Sequence, residues 1–311
     1  MDVTQKNTKK WVQFAIQGTS ETKDSIESKL NEFNCLSITI TDAHDQPIYE
    51  PQPGQTPLWP SIILTGLFEI PDHMHENQKK QWVHQLEAKI KKHLNTNEMV
   101  VSVFADEEWV RTCLEDFVPI EIANGLFIVP SWLEPPVAAT RVLKLDPGLA
   151  FGTGTHPTTF LCLDWLARQP LDSLKDKHII DYGCGSGILA IGAALLGVGK
   201  IVATDIDDQA LTATHINAQQ NNVAELIECK LPEKLLLEPI FDCIIANILA
   251  EPLIGLVKNF VQLLRPHGQI CLSGLLEDNV DHIIQAYTPY FTHFEVKTQG
   301  EWARITAILK H

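Results

Sequence analysis

The feature that most constrains the fold is a regular alternation of strand-like and helix-like segments beyond residue 178. Short apolar runs alternate there with segments whose apolar residues recur at helical spacing. Parallel strands need crossover connections, so the alternation predicts a parallel sheet with helices on both faces. The last two strand-like runs lie only a few residues apart, which predicts an antiparallel hairpin and a seven-stranded, Rossmann-like α/β domain at 118–311. The expected strands are 178–182, 200–205, 225–230, 241–246, 268–273, 291–296 and 303–309, and the expected helices are 187–196, 207–221, 250–264 and 277–287.

The first hundred residues follow a different order, strand-helix-strand-strand-helix-strand. With 311 residues and roughly 150 per domain, two domains are expected. This order is that of the ferredoxin-like α+β unit, which we place at 1–105. An acidic amphipathic segment at 106–117 is expected to be a linker helix, and residues 1–10 a disordered polar extension. The expected strands are 11–17, 35–41, 61–70 and 99–105, with helices from about 20 and over 77–94, and strand-like runs at 125–129 and 142–145 follow the linker.

Charge is concentrated in the second part of the chain. The net charge is −15, and residues 106–311, with 14 Lys/Arg and 26 Asp/Glu, carry −12 of it. An acidic surface repels phosphate backbones, which weighs against direct nucleic-acid binding and favours a cationic substrate. Simple solubility is the alternative explanation.

Several classes of protein are not expected from the remaining composition. The longest nearly apolar stretch, 188–199, is far shorter than the roughly 20 residues of a membrane-spanning helix, so no membrane association is expected. The N-terminal residues do not resemble a signal peptide, so a cytoplasmic location is expected. Seven scattered cysteines without a C-x-x-C pair indicate reduced thiols, and His73 and His75 lack further ligands for a metal site.

A glycine-rich turn between an apolar strand and an apolar helix is the strongest motif. Gly183, Gly185 and Gly187 allow close backbone approach to a ligand at a helix N-terminus. A dinucleotide fingerprint would need glycine where Ile188 stands. Asp181 at the strand end would oppose a pyrophosphate but suits a cationic cofactor such as S-adenosylmethionine, which carries a sulfonium and an ammonium group.

Two further polar residues are expected at the ends of neighbouring strands. Asp205 follows the next strand, where an acid can accept both ribose hydroxyls. Its alternative role, capping the following helix, fits Asp207 better. Asn247 ends the strand expected beside that of Asp181 and could hold an amine at the cofactor methyl, or serve only as a turn residue and helix cap.

The loop at 145–159 combines three glycines with four threonines and His156. It could fold over a bound cofactor. His156 is the candidate general base by its position near the glycines. A packing or loop-fixing role is an equal alternative, so no catalytic role is assigned to it.

Together these motifs resemble a known family. The strings LDPGLAFGTGTHPTT, DYGCGSGILAIGA, ATDIDDQAL, IIANILAEPL and LSGLL are similar to those of bacterial methyltransferases acting on protein L-eleven (L11) of the large ribosomal subunit, the PrmA type. The resemblance extends over essentially the whole chain, including 49–54 and 301–306. It implies a substrate-recognising N-terminal domain, a linker helix and a catalytic domain.

The resemblance also implies site residues and a reaction. Cofactor contacts carry over to Thr159, Gly183, Asp205 and Asn247, and the family methylates lysine side chains and the N-terminal amine of its target. Asn247 is the tentative catalytic residue, as the group that positions the amine. Two alternatives stay open, a nucleic-acid amino-methyltransferase and a non-catalytic ribosome-assembly module. Oligomeric state is not predicted.

Overall fold

The computed structural model describes residues 9–44, 58–94, 98–105, 118–146, 154, 156–236, 238 and 240–310. The chain forms two compact units, Met1–Phe117 and Val118–His311. The predicted linker helix at 106–117 lies outside the described residues, as do residues 1–8 of the predicted extension. Lys10, expected in that extension, is instead the first residue of a strand. No helix within the described ranges is long and apolar enough to cross a membrane.

The first unit is an antiparallel sheet with two helices. Its elements follow the order expected from the sequence, with bounds shifted by a few residues. They are β1 (Lys10–Thr19), α1 (Lys23–Glu32), β2 (Ser37–Asp42), β3 (Ser61–Ile70), α2 (Glu76–Leu94) and β4 (Met99–Ala105). The sheet order is β2-β3-β1-β4, and all neighbouring strands are antiparallel.

The core of this unit follows from the two-residue period of its strands. Val12, Phe14 and Ile16 of β1 are buried, while the residues between them are more exposed. Leu30 of α1 and Ile90 of α2 pack in the same cluster. Burying each such side chain stabilises the fold by roughly 1.5 to 3 kcal/mol. The core of this unit therefore lies between one face of the sheet and the two helices.

The second unit begins with a small sheet of three strands. It contains β5 (Ile120–Glu121), β6 (Leu126–Val129) and β7 (Arg141–Lys144). The strand-like runs expected at 125–129 and 142–145 are confirmed as β6 and β7. The two-residue β5 was not expected, because so short a strand has no detectable period.

A seven-stranded sheet forms the rest of the second unit, as predicted. Its elements are α3 (Pro157–Ala167), α4 (Leu171–Leu174), β8 (His178–Tyr182), α5 (Ile188–Leu195), β9 (Lys200–Thr204), α6 (Asp208–Gln220), β10 (Ile227–Lys230), β11 (Phe241–Asn247), α7 (Ala250–Leu263), β12 (Leu264–Leu276), α8 (Val280–Tyr287), β13 (Phe291–Gln299) and β14 (Trp302–Leu309). The strand order is β10-β9-β8-β11-β12-β14-β13. Strand β12 starts four residues earlier than the expected 268.

The pairing directions define where a ligand would bind. The five neighbouring strands β10, β9, β8, β11 and β12 are all parallel. Strand β14 is antiparallel to both β12 and β13, which confirms the predicted hairpin. The chain order reverses between β8 and β11. Open α/β sheets bind ligands at the carboxyl ends of the strands beside such a reversal.

Separate apolar clusters cover the two faces of this sheet. Alternate residues of a strand enter different clusters: Ile179 and Ile245 belong to one, Ile180 and Ile244 to the other. Helix α3 packs on the first face, against β11, β12 and β14. Helix α3 therefore covers the face of the sheet that carries Ile179 and Ile245.

Candidate active site

Three predicted site residues lie at the point where the strand order reverses. Asp181 is on β8, Asn247 ends the adjacent β11, and Asp205 directly follows β9 on the other side. In register, Asp181 aligns with Ala203 and with Ile245. The predicted pairing of the strands that carry Asp181 and Asn247 is thus confirmed. Because these strands are parallel, the residues share one edge of the sheet.

The glycine turn is fastened to the end of β9. The backbone N–H groups of Gly183 and Cys184 donate to the Thr204 carbonyl oxygen, at 2.8 and 3.0 Å. Gly183 has φ of +82°, and a Cβ there would lie 2.3 Å from the Ile248 side chain. Glycine at this position is therefore required both by the backbone conformation and by space. The turn therefore lies at the edge of the sheet where the strand order reverses.

Asp205 holds the same turn from the other side. Its Oδ2 accepts from the Gly185 N–H at 3.0 Å, and its Oδ1 from the Asp207 N–H at 3.1 Å. Asp207, not Asp205, caps α6, with its Oδ1 accepting from the Gln209 N–H at 2.8 Å. This confirms that the helix cap is Asp207, whereas the ribose-binding role of Asp205 stays a prediction.

Asp181 is buried with half of its carboxylate paired. Its Oδ2 accepts from the Ala190 N–H at 3.0 Å, while Oδ1 is buried without a hydrogen-bond partner among the described residues. Burial raises the pKa of Asp181 to about 7, the Ala190 bond opposes this, and the charge of Asp205 adds to it. A cation beside Oδ1 would favour the ionised carboxylate.

Asn247 and Thr159 meet although they are 88 residues apart in the chain. The Asn247 Nδ2 donates to the buried Thr159 hydroxyl at 3.4 Å, and the Asn247 Oδ1 has no partner in the described part of the chain. Helix α7 starts after Leu249, without a side-chain cap. The alternative of a helix-capping role for Asn247 is therefore wrong, and its amide oxygen is available to a ligand.

His156 fixes the start of α3. Its Nδ1 lies 2.7 Å from the Thr158 hydroxyl and accepts from the Thr158 N–H at 3.4 Å. Its ring also meets that of Trp302 edge to face, with centroids 4.6 Å apart. Burial lowers the pKa of His156. These contacts agree with the loop-fixing alternative; residues 147–153 and 155 of the same loop lie outside the described residues.

Comparison with known proteins identifies the family. A family model described as ribosomal protein L11 methyltransferase (PrmA) matches residues 10–310. The chain belongs to this family. Ribosomal protein L11 methyltransferases of Acinetobacter baylyi and Psychrobacter cryohalolentis are each 42% identical, covering 96% and 95% of this chain and 97% and 98% of their own. The resemblance found in the motifs is thereby confirmed.

A solved structure of the family supports the architecture. The ribosomal protein L11 methylase of Lactobacillus delbrueckii subsp. bulgaricus is 34% identical with a TM-score of 0.54, and it covers 63% of this chain and 100% of its own. Membership in a methyltransferase family decides against the alternative of a non-catalytic module.

In this member of the L11 methyltransferase family, the structure adds a residue for which sequence reasoning found no role. Arg304 is only 5% exposed, and its Nε is buried without a partner among the described residues. The sequence gives one sign of this residue, since Arg304 is a charged residue within the strand-like run 303–309. Alternation along that strand directs its side chain to a covered face of the sheet. That signal by itself does not show whether such a residue is paired.

Proposed function

We propose that this protein transfers methyl groups from S-adenosylmethionine to lysine side-chain and N-terminal amines of ribosomal protein L11. The relatives named L11 methyltransferases, similar along almost the whole chain, support the reaction. The observation that carries the site is that Asp181 and Asn247, on adjacent strands at the edge where the strand order reverses, each have a buried oxygen without a partner among the described residues. Buried polar atoms normally have partners, so two unpaired ones at this edge indicate a polar ligand.

The residues at this edge fit the cofactor. Each carboxylate oxygen of Asp205 accepts one hydrogen bond from a backbone N–H. Each oxygen can accept a second bond, so the carboxylate could also bind two ribose hydroxyls. Gly183 and Gly185 would bring the backbone close to the ligand, and Asp181 would face its positive charge. Thr159 and Asn247 would complete the site on the α3 side. S-adenosylmethionine supplies a methyl group bound to a cationic sulfur.

Positioning is the main task of the protein in such a transfer. Asn247 can accept from the incoming amine through Oδ1, which directs the nitrogen lone pair toward the methyl group. Lysine has a pKa of about 10.4, and burial favours its neutral form. The Nδ1 of His156 is engaged at the helix cap, so we assign no general base. A site without a fixed base lets the amine rotate between successive transfers.

The residues after Asn247 favour an aliphatic amine over a nucleobase. Ile248 and Leu249 follow it, and Leu249 is 50% exposed. Neither offers an aromatic face on which a base could stack. Apolar side chains of this kind suit the methylene stem of lysine. This supports a protein substrate over the nucleic-acid alternative.

Intact mass of purified L11 after incubation with this protein and S-adenosylmethionine tests the proposal. We expect mass increments of whole methyl groups, located by peptide mapping on lysine and N-terminal amines. A reaction without S-adenosylmethionine is the control. Labelled methyl groups found in ribosomal RNA, or no transfer to L11, would contradict the proposal.

We also propose that the first unit is a ferredoxin-like domain that recognises L11. Its antiparallel four-stranded sheet with two helices supports this, and the predicted site residues all belong to the second unit. A fragment beginning at Asp106 is expected to bind cofactor like the full chain but to leave L11 unmodified. Methylation of L11 by the fragment at the full rate would show that recognition does not need the first unit.

A further inference from the structure

Arg304 is a buried arginine whose Nε has no partner among the residues that the structure describes. It lies in β14 and is 5% exposed. An arginine side chain keeps its proton in proteins, so burial cannot be relieved by neutralisation. Buried charges are normally paired, because removing a charge from water costs several kcal/mol. The described residues therefore leave the buried Nε without the anionic partner that such a charge normally has.

A β-bulge lies opposite this residue in the neighbouring strand. Between the pairs Leu272–Ile305 and Leu275–Ala303, strand β12 has two residues, whereas β14 has only Arg304. Bulges occur often beside active sites, where they redirect a side chain.

The bulge lies directly beside Asn247. Asn247 aligns with Ser273, the first bulged residue, whose hydroxyl donates to the Ala303 carbonyl oxygen at 2.8 Å. Gly274, the second, has φ of +83°, and a Cβ there would lie 2.5 Å from the Ile248 carbonyl oxygen. Arg304 is thus two strands from Asn247, about 10 Å between backbones.

Arg304 faces the same side of the sheet as the candidate active site. Its neighbours Ala303 and Ile305 belong to the cluster on the other face, so alternation directs Arg304 toward α3. The pKa of the buried Cys162 thiol in α3 is raised by its hydrogen bond to Cys271 and by burial. The positive charge of Arg304 lowers the same pKa, which agrees with a guanidinium on the α3 side of the sheet. Cys162 lies about one turn beyond Thr159.

Among the described residues, no carboxylate forms an ion pair with Arg304. Lys297, its partner across the hairpin, binds Asp164, which also binds Arg168. The carboxylate of Asp164 is therefore already shared by two cations. Asp164 therefore does not supply an anion for Arg304, and a bound ligand would supply one.

We propose that Arg304 binds the α-carboxylate of the methionine portion of S-adenosylmethionine. This rests on the proposed function, and that carboxylate is the only anionic group of the cofactor. Arg304 and Asp181 lie on one face of the sheet, on either side of Asn247, with opposite charges. Together they match the carboxylate and the positive charges of one zwitterionic ligand.

Calorimetric titration with ligands that differ in the carboxylate tests the proposal. The probes are S-adenosylhomocysteine and S-adenosylmethionine, which carry it, and decarboxylated S-adenosylmethionine, which does not. Arg304→Met should weaken binding of the first two about tenfold to a hundredfold and leave that of the third within about twofold. Arg265→Met is the control, because Arg265 lies at the end of β12 far from the bulge and carries the same charge. This variant should bind all three probes with unchanged affinity.

The outcomes separate the two proposals. Unchanged binding of S-adenosylhomocysteine by Arg304→Met, or equal losses for all three probes, would overturn the role of Arg304. A wild-type protein that binds none of the probes would overturn the proposed function itself. Thermal unfolding checks the fold. If the Met variant does not fold, Arg304→Lys must still weaken the carboxylate-bearing probes more than the decarboxylated one, or the proposal fails.

Discussion

Two buried carboxylates of the second unit, Asp164 in α3 and Asp181 in β8, are equally shielded from water but differently partnered. Each is 1% exposed. Asp164 accepts from Arg168 at 2.8 Å and from Lys297 at 2.7 Å. Among the described residues, Asp181 accepts only from the Ala190 N–H. Burial would raise the pKa of both carboxyls, but the two cations outweigh it at Asp164 and lower its pKa, whereas that of Asp181 rises to about 7.

This difference separates a carboxylate that stabilises the fold from one held ready for a ligand. Lys297 joins β13 to α3 through Asp164, and Arg168 at the end of α3 binds the same carboxylate, so its charge is used within the protein. The other oxygen of Asp181 lies at the edge where the strand order reverses, and in the proposed function a cationic ligand provides the partner that the described residues do not. Mutations around Asp164 should therefore change stability, and mutations around Asp181 should change binding and turnover.

The largest effect is expected at Asn247, on the edge with unpaired groups. Asn247→Ala should lower turnover about a hundredfold, since misplacing reactants by about 1 Å costs that much. The measurement is methyl incorporation into purified L11 at saturating S-adenosylmethionine, with circular dichroism to check folding. A folded, saturated variant within about threefold of wild type would leave Asn247 as a turn residue only.

Asp205→Ala should weaken S-adenosylmethionine binding by roughly 1.5 to 3 kcal/mol, because it removes charged hydrogen bonds to the ribose and the support of Gly185. Calorimetric titration measures this. Asp207→Ala is the matched control, since it removes the cap of α6 and should cost about 1 kcal/mol of stability without changing affinity. Equal affinities for the two variants would remove Asp205 from the site.

Asp164→Ala should lower the free energy of unfolding by about 2 kcal/mol and leave S-adenosylhomocysteine binding within about twofold. The lost bonds are charge-assisted, but Lys297 and Arg168 are half exposed and can regain water, so the cost stays below that of a fully buried pair. Urea unfolding and calorimetry measure the two quantities. Weaker binding at unchanged stability would show that Asp164 serves the ligand instead.

Asp181 should make the stability of the ligand-free protein depend on pH. Its pKa is raised by folding, so its contribution is complete at low pH and is lost as the pH rises from about 4 to about 7. Between pH 6 and pH 8 the wild type should lose about 1.4 kcal/mol through this group. Asp181→Asn should not show that loss in urea unfolding. Parallel pH profiles of the two proteins would contradict the raised pKa.

Much of the fold could be predicted because its signals are local. The glycines of the turn, the period of β1 and the apolar runs of β8 and β11 lie within short windows. The antiparallel hairpin followed from a short connection alone. The two-residue β5 and the early start of β12 were not predicted, because strands that short, or a start at Leu264 directly after a helix, leave no period to detect.

The sequence by itself determined the family, the order of strands and helices, and the polar residues at the strand ends. Which polar groups are paired was decided only by the tertiary structure. Asp164 meets Lys297 across 133 residues. Arg304 lies opposite a bulge in another strand, and one oxygen of Asp181 has no partner among the described residues. Pairing and burial depend on contacts between distant segments, whereas local sequence patterns encode only the backbone period of each segment.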